Sequence, residues 1–205
     1  LDDRPLIIDA DADLMPAIEI FMAGGIIAYP TDTFYGLCVN PFNNEAVQAL
    51  YRLKGRPSSS PMPLIIGGIS LIRFVAKELP PQAVQLMKRF WPGPLTIVLK
   101  AADALPASVT AGTGTIGVRL PGCPRARRFS NTLGFPITST SANPSGEKPP
   151  VTAEEVAGYF GGSISLLIDG GRLKGTKGST IVDATDERLK IIREGEIPSS
   201  EIFQP

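Results

Sequence analysis

The stretch Gly24-Gly25-Ile26-Ile27-Ala28-Tyr29-Pro30-Thr31-Asp32-Thr33-Phe34-Tyr35-Gly36-Leu37 carries a helix end, a strand and a loop in fourteen residues. The paired glycines close a helix predicted over 13–23, with Pro16 tolerated in its first turn. Residues 26–29 are a short apolar run stopped by Pro30, which reads as a buried strand. Residues 30–37 read as a polar loop with aromatics just past that strand's carboxyl end. Open α/β sheets bind their ligands at such places.

The same alternation continues in both directions. Leu6-Ile7-Ile8 reads as a first strand. Asn44 to Lys54 reads as a helix with Ala46, Val47, Leu50 and Leu53 on one face and Gly55 placed to cap it. Strands are predicted at 62–66, 94–100, 116–120 and 136–140, and helices at 81–91 and 123–133. Thr152-Ala153-Glu154-Glu155 is a capping box that opens another helix. Strands at 164–168, 179–183 and 188–193 complete the set. Strands that alternate with helices and then crowd together predict an α/β fold: one twisted mixed sheet with flanking helices. No repeat and no Gly/Ser-rich linker divides the chain, so a single domain over 1–205 is expected, with its core at about 10–197.

Composition narrows the chemistry. The 205 residues contain 20 Lys and Arg, 20 Asp and Glu, and no histidine. The commonest general base and metal ligand is thereby absent, and a Ser-His-Asp site is excluded. The balanced charge argues against a protein that grips nucleic acid by its backbone. Cys38 and Cys123 have no CxxC spacing and read as two small packed side chains. No Asp/Glu cluster points to a protein-held metal. No apolar run is long enough to span a membrane, and Leu1-Asp2-Asp3-Arg4 shows no signal-peptide pattern, so a cytoplasmic protein is expected.

Two clusters stand out. Lys54-Gly55-Arg56-Pro57-Ser58-Ser59-Ser60 puts two cations and several hydroxyls after a helix. Such a group could place a triphosphate or stabilise a leaving pyrophosphate. Alternatively, it is a helix C-terminus that favours cations. In Ser139-Thr140-Ser141-Ala142-Asn143-Pro144-Ser145-Gly146, the side chains of Ser139, Ser141 and Asn143 would share one face if the segment is extended. The other reading is a Ser/Asn turn. Arg119 ends a strand and suits a carboxylate, or an internal salt bridge. Arg193 and Ser179-Thr180 read as structural on their own. Arg125, Arg127 and Arg128 read as a solvated helix face with at most a weak RNA contact. The segment from Gly170 to Ser179 looks like a phosphate loop, but Gly175 is followed by Thr176, and the spacing fails.

The motifs together resemble a known family. In order they are residues 25–37, Lys54-Gly55-Arg56-Pro57, Trp91-Pro92-Gly93-Pro94-Leu95-Thr96, Val118-Arg119-Leu120-Pro121, Thr140-Ser141-Ala142-Asn143, Ser179-Thr180-Ile181-Val182-Asp183 and Arg193-Glu194-Gly195. The chain resembles the threonylcarbamoyl-AMP synthases with the YrdC-like fold. The resemblance implies that L-threonine, bicarbonate and ATP, with Mg²⁺ carried by the phosphates, give threonylcarbamoyl-AMP and pyrophosphate. The product serves N6-threonylcarbamoyl modification of adenosine 37 in tRNA, through downstream tRNA-modification proteins. It also implies site residues: Thr33, Arg119 and Ser179 for L-threonine, and Lys54, Arg56, Ser60, Thr115, Ser139, Ser141, Asn143 and Arg193 for ATP, with Lys54 and Arg56 catalytic. The short, single-domain form is the expected one. Many members place a histidine soon after the lysine–arginine motif, where this chain reads Pro61-Met62-Pro63-Leu64-Ile65-Ile66. A same-fold paralogue with a different acceptor is therefore the competing enzyme reading, and an RNA-binding module the competing reading of another class.

Overall fold

The computed structural model describes residues 4–175 and 177–204; Leu1-Asp2-Asp3, Thr176 and Pro205 lie outside the described residues. In chain order the first elements are β1 (Leu6–Asp9), α1 (Met15–Met22), β2 (Ile27–Pro30), β3 (Tyr35–Cys38), α2 (Asn44–Lys54), β4 (Leu64–Ile65) and α3 (Pro81–Phe90). The middle of the chain forms β5 (Leu95–Lys100), α4 (Ala107–Thr110), β6 (Thr115–Arg119), α5 (Pro124–Leu133), β7 (Ile137–Thr138) and β8 (Thr140–Ser141). The last elements are α6 (Ala153–Phe160), β9 (Leu166–Asp169), β10 (Thr180–Asp183), β11 (Lys190–Arg193) and α7 (Ser199–Ile202).

The strands form two mixed sheets where the sequence pattern predicts one. The first has the order β1-β9-β2-β3-β8 and the second β11-β10-β5-β6-β4-β7. The segment 136–140, expected as one strand, is the joint between them. Ile137 and Thr138 pair with β4, whereas Thr140 and Ser141 pair with β3. The break is held by long-range bonds. Thr138 donates its N–H to the Val39 carbonyl at 3.2 Å, and Ser139 donates its N–H to the Pro63 carbonyl at 2.7 Å. Ser139 therefore sits where the two sheets meet.

The second difference is β3. Residues 30–37 are not all loop: after a four-residue turn, Tyr35–Cys38 runs back antiparallel to β2, with Pro30 opposite Tyr35. The Thr31 hydroxyl closes the turn by accepting from the Thr33 N–H at 3.1 Å and donating to the Phe34 carbonyl at 2.6 Å. At Gly36 an added Cβ would lie 3.2 Å from the Tyr29 ring and 3.3 Å from the Thr140 carbonyl, so either neighbour would have to give by a few tenths of an ångström.

Both faces of the first sheet are covered. One core joins Ala28, Leu37 and Leu167 to Leu64, Leu95, Ile97 and Val118 of the second sheet. On the other face Phe21 of α1 and Phe129 of α5 meet edge-to-face at 6.1 Å and pack with Ile27, Tyr29 and Ile168. Burial on both sides explains why β2 reads as a continuous apolar run. No helix among the described residues is long and apolar enough to cross a membrane.

Candidate active site

A cavity of about 300 Å³ is lined from both sheets. The β2–β3 turn supplies Thr31, Thr33 and Phe34, and the joint supplies Ser139, Thr140 and Ser141. The second sheet supplies Thr96, Arg119, Ile181 and Arg193, while Arg56, Lys177 and Ser179 come from connections. Among the described residues, no acidic side chain lines this cavity.

Helix α2 aims Arg56. Asn43 caps its start by accepting the Ala46 N–H at 3.1 Å. At its end Gly55 takes φ +60°, and the Arg56 N–H reaches the Tyr51 carbonyl at 3.1 Å, a Schellman turn. One guanidinium nitrogen of Arg56 donates to the Pro61 carbonyl at 2.9 Å. Its Nε is buried without a partner among the described residues. A buried donor left unpaired marks a place where a ligand is missing or strain is held.

Arg119 ends β6 and is 8% exposed. Its Nε donates to the Gly93 carbonyl at 3.0 Å, and its terminal nitrogen pairs with the Asp32 carboxylate. The internal salt bridge foreseen as an alternative is therefore present, on a residue that also faces the cavity. Arg193 ends β11 and donates to the Ser179 carbonyl at 2.8 Å. Its pKa is lowered by burial, then by the positive charges of Arg119 and Arg56. Arg193 thus lies within the field of the other two guanidiniums. Hydroxyls fill the gaps between them: Thr96 and Ser179 share a hydrogen bond of 2.8 Å, and Tyr29 donates to Ser139 at 3.1 Å.

Seven of the expected residues meet on this wall: Thr33, Arg56, Arg119, Ser139, Ser141, Ser179 and Arg193. Lys54, Ser60, Thr115 and Asn143 do not line it. Lys54 is buried behind it and donates to the carbonyls of Ser141 and Asn143, the latter at 2.6 Å. Burial first, and the Arg56 charge second, lower its pKa to about 8. Asn143 leaves the shared face because the chain turns after β8, with its N–H on the Ser141 carbonyl at 3.0 Å. Its amide nitrogen donates to the Pro144 and Glu147 carbonyls, while its buried Oδ1 has no partner among the described residues. Ser60 offers its carbonyl to Tyr51 at 2.7 Å, and Thr115 shares a hydrogen bond of 3.0 Å with Thr113 at the far end of β6 from Arg119.

The basic helix α5 presents Arg125 and Arg128 at the surface. Arg125 pairs with Asp11 through bonds of 3.1 and 2.6 Å, and Arg128 donates to the carbonyls of Ala10 and Ala12. Both residues remain exposed, as expected of a solvated helix face, and their side chains also tie α5 to the segment after β1.

Thr96 and Lys177 on the wall, and Asp32 just behind it, are given no role by the sequence. Thr96 is a buried hydroxyl within the apolar run Leu95-Thr96-Ile97-Val98-Leu99, and that mismatch is a usable signal. Asp32 and Lys177 stand in polar loops, where nothing local distinguishes them. The rejected phosphate-loop lookalike still reaches the cavity through Lys177, Gly178 and Ser179, although the residue that breaks its spacing, Thr176, is outside the described set.

Known proteins share this sequence and architecture. The family model described as Telomere recombination (Sua5, YciO, YrdC) matches residues 19–195. A threonylcarbamoyl-AMP synthase of Pyrococcus abyssi is 38% identical over 87% of this chain and 53% of its own length. One of Bacillus subtilis is 38% identical over 94% of this chain and 56% of its own. The chain thus spans about half the length of these two curated relatives. Among solved structures, P. abyssi Sua5 in complex with L-threonine superposes with a TM-score of 0.90 at 35% identity, covering 96% of this chain and 59% of that one. Escherichia coli YciO superposes with a TM-score of 0.82 at 30% identity, covering 93% of this chain and 95% of that one. With its motifs in order and its two mixed sheets superposing on these structures, the chain belongs to the Sua5/YciO/YrdC family.

Proposed function

We propose that this chain forms L-threonylcarbamoyl-AMP and pyrophosphate from L-threonine, bicarbonate and ATP. The observation that carries this reading is a cavity with Arg56, Arg119 and Arg193 in its wall, hydroxyls between them and no acidic side chain among its described lining residues. Such a wall suits two anions held side by side. The names of the P. abyssi and B. subtilis relatives, and the L-threonine in the P. abyssi structure, support the same choice.

The chemistry follows from the groups present. The threonine amine and bicarbonate give a carbamate and water. One carbamate oxygen attacks the α-phosphorus, the bond from that phosphorus to the bridging oxygen breaks, and pyrophosphate leaves with the electron pair. The nucleophile is already an anion, so the step needs placement and charge neutralisation more than a strong base. In this reading Arg119 holds the threonine carboxylate, with Thr33 and Ser179 beside it. Arg56 and Arg193 face the phosphates, Ser139 and Ser141 donate from the joint, and Mg²⁺ comes with the triphosphate as part of the substrate. Lys54 and Asn143 lie behind this wall, while Ser60 and Thr115 lie outside it toward the nucleoside. One domain in the cytoplasm, feeding an unstable adenylate to tRNA-modifying partners, completes the proposal.

One observation favours a second reading. The segment where the family resemblance would place a histidine reaches the cavity here at Pro63, Leu64 and Ile65, none of which carries a polar side chain. An acceptor whose side chain needs no polar partner at this place would suit it. Purified protein with MgATP and bicarbonate is expected to release pyrophosphate on addition of L-threonine and far less with L-serine, glycine or L-valine. Equal or better turnover with another amine would replace threonine as substrate. Steeply salt-dependent RNA binding without any turnover would replace the enzyme by a binding module.

A further inference from the structure

The cavity's cations are balanced from outside its wall. Asp32 does not line the cavity, yet its carboxylate meets both Arg119 and the chain that follows β6. One oxygen pairs with the Arg119 guanidinium, and the other accepts the Gly122 N–H at 3.1 Å. Arg119 is also held through Nε by the Gly93 carbonyl. The pair is mostly shielded from water, with side-chain exposures of 10% for Arg119 and 22% for Asp32. A guanidinium fixed at two of its nitrogens keeps its plane and can present its remaining N–H groups in one direction.

We infer that Asp32 is a positioning residue that sets the specificity of this site for an α-carboxylate, by locking the plane of Arg119. This rests on the reading of Arg119 as the carboxylate anchor and extends it to a residue that never touches substrate. Two opposing effects follow from a carboxylate in this place. Its charge weakens the pull of the cavity on an incoming anion. Its hydrogen bond removes the rotational freedom that Arg119 would otherwise lose on binding. Arg56 and Arg193 supply further positive charge nearby, so the field is less limiting than the alignment. Removing the Asp32 charge is therefore expected to weaken threonine binding rather than strengthen it. The position of Asp32, one residue before Thr33 in the β2–β3 turn, ties the aim of Arg119 to the threonine-facing turn itself.

The test is steady-state pyrophosphate release with L-threonine and ATP varied in turn, on wild type, Asp32→Asn and Asp32→Glu, alongside thermal melting. Asp32→Asn keeps the shape and removes the charge. Asp32→Glu keeps the charge and displaces it by one methylene. In both, the KM for L-threonine is expected to rise roughly tenfold, the scale typical of losing an orienting partner. The KM for ATP is expected to stay within about twofold, because binding is lost at one substrate only. Should Asp32→Asn fail to fold, Asp32→Glu carries the same comparison. A KM for L-threonine that stays at the wild-type value in a folded variant overturns the inference alone. So does a loss of kcat in proportion to lost folded protein. A wild-type enzyme that never saturates with L-threonine overturns both the inference and the reading beneath it.

Discussion

Arg119→Ala is expected to abolish saturation by L-threonine, with kcat/KM for the amino acid falling about 10²–10³-fold. Removing one partner of a desolvated, hydrogen-bonded charge pair costs roughly 2–5 kcal/mol of binding, and this sets the range. Arg119 is nearly buried, so little solvent screens the loss. Folding should suffer less. Asp32 keeps its bond from the Gly122 N–H and some access to water, and the Gly93 carbonyl loses a single donor. A stability loss of about 1–3 kcal/mol is the scale for one orphaned charged hydrogen-bond partner. Kinetics at saturating ATP, together with a melting curve, separate the two effects. An unchanged KM for L-threonine would put the carboxylate elsewhere.

Arg56→Ala is expected to act on the chemical step. Arg56 faces the leaving pyrophosphate in the proposed arrangement, and groups of this kind contribute about 10²–10³ to kcat. Its structural ties are slight: one bond to the Pro61 carbonyl, and a buried Nε that already lacks a partner among the described residues. Losing that charged hydrogen bond should cost about 1.5–3 kcal/mol, which a folded domain can absorb. Lys54 and Arg193 would both be relieved of a like charge, and their pKa values should move back up. Single-turnover pyrophosphate release checks the rate, and circular dichroism checks the fold. Collapse of the domain would assign Arg56 to structure instead.

Local pattern carries the parts of this fold that are locally determined. Helix α2 is readable because its cap, its apolar face and its terminal glycine all lie within thirteen residues, Asn43 to Gly55. The division into two sheets is not readable, because it depends on Ser139 reaching the Pro63 carbonyl and Thr138 reaching Val39, far away in sequence. Strands of two residues such as β7 and β8 carry no period at all. The site shows the same division. Arg56, Arg119, Ser139 and Ser141 stand out by position, whereas Thr33, Ser179 and Arg193 are named only through the family resemblance; all seven share the cavity wall. Lys54 could not be placed, because helix C-terminal lysines usually reach water. Here two carbonyls, 87 and 89 residues away, hold its ammonium behind the wall. Asp32 was silent for the same reason: its role exists only through a partner 87 residues away.

The most direct test of the account is the structure of the protein crystallised with L-threonine and a non-hydrolysable MgATP analogue. The account predicts the amino-acid carboxylate on Arg119 and the triphosphate against Arg56 and Arg193, with both ligands in the one cavity. A nucleotide bound anywhere else, or a threonine whose carboxylate faces away from Arg119, would contradict it.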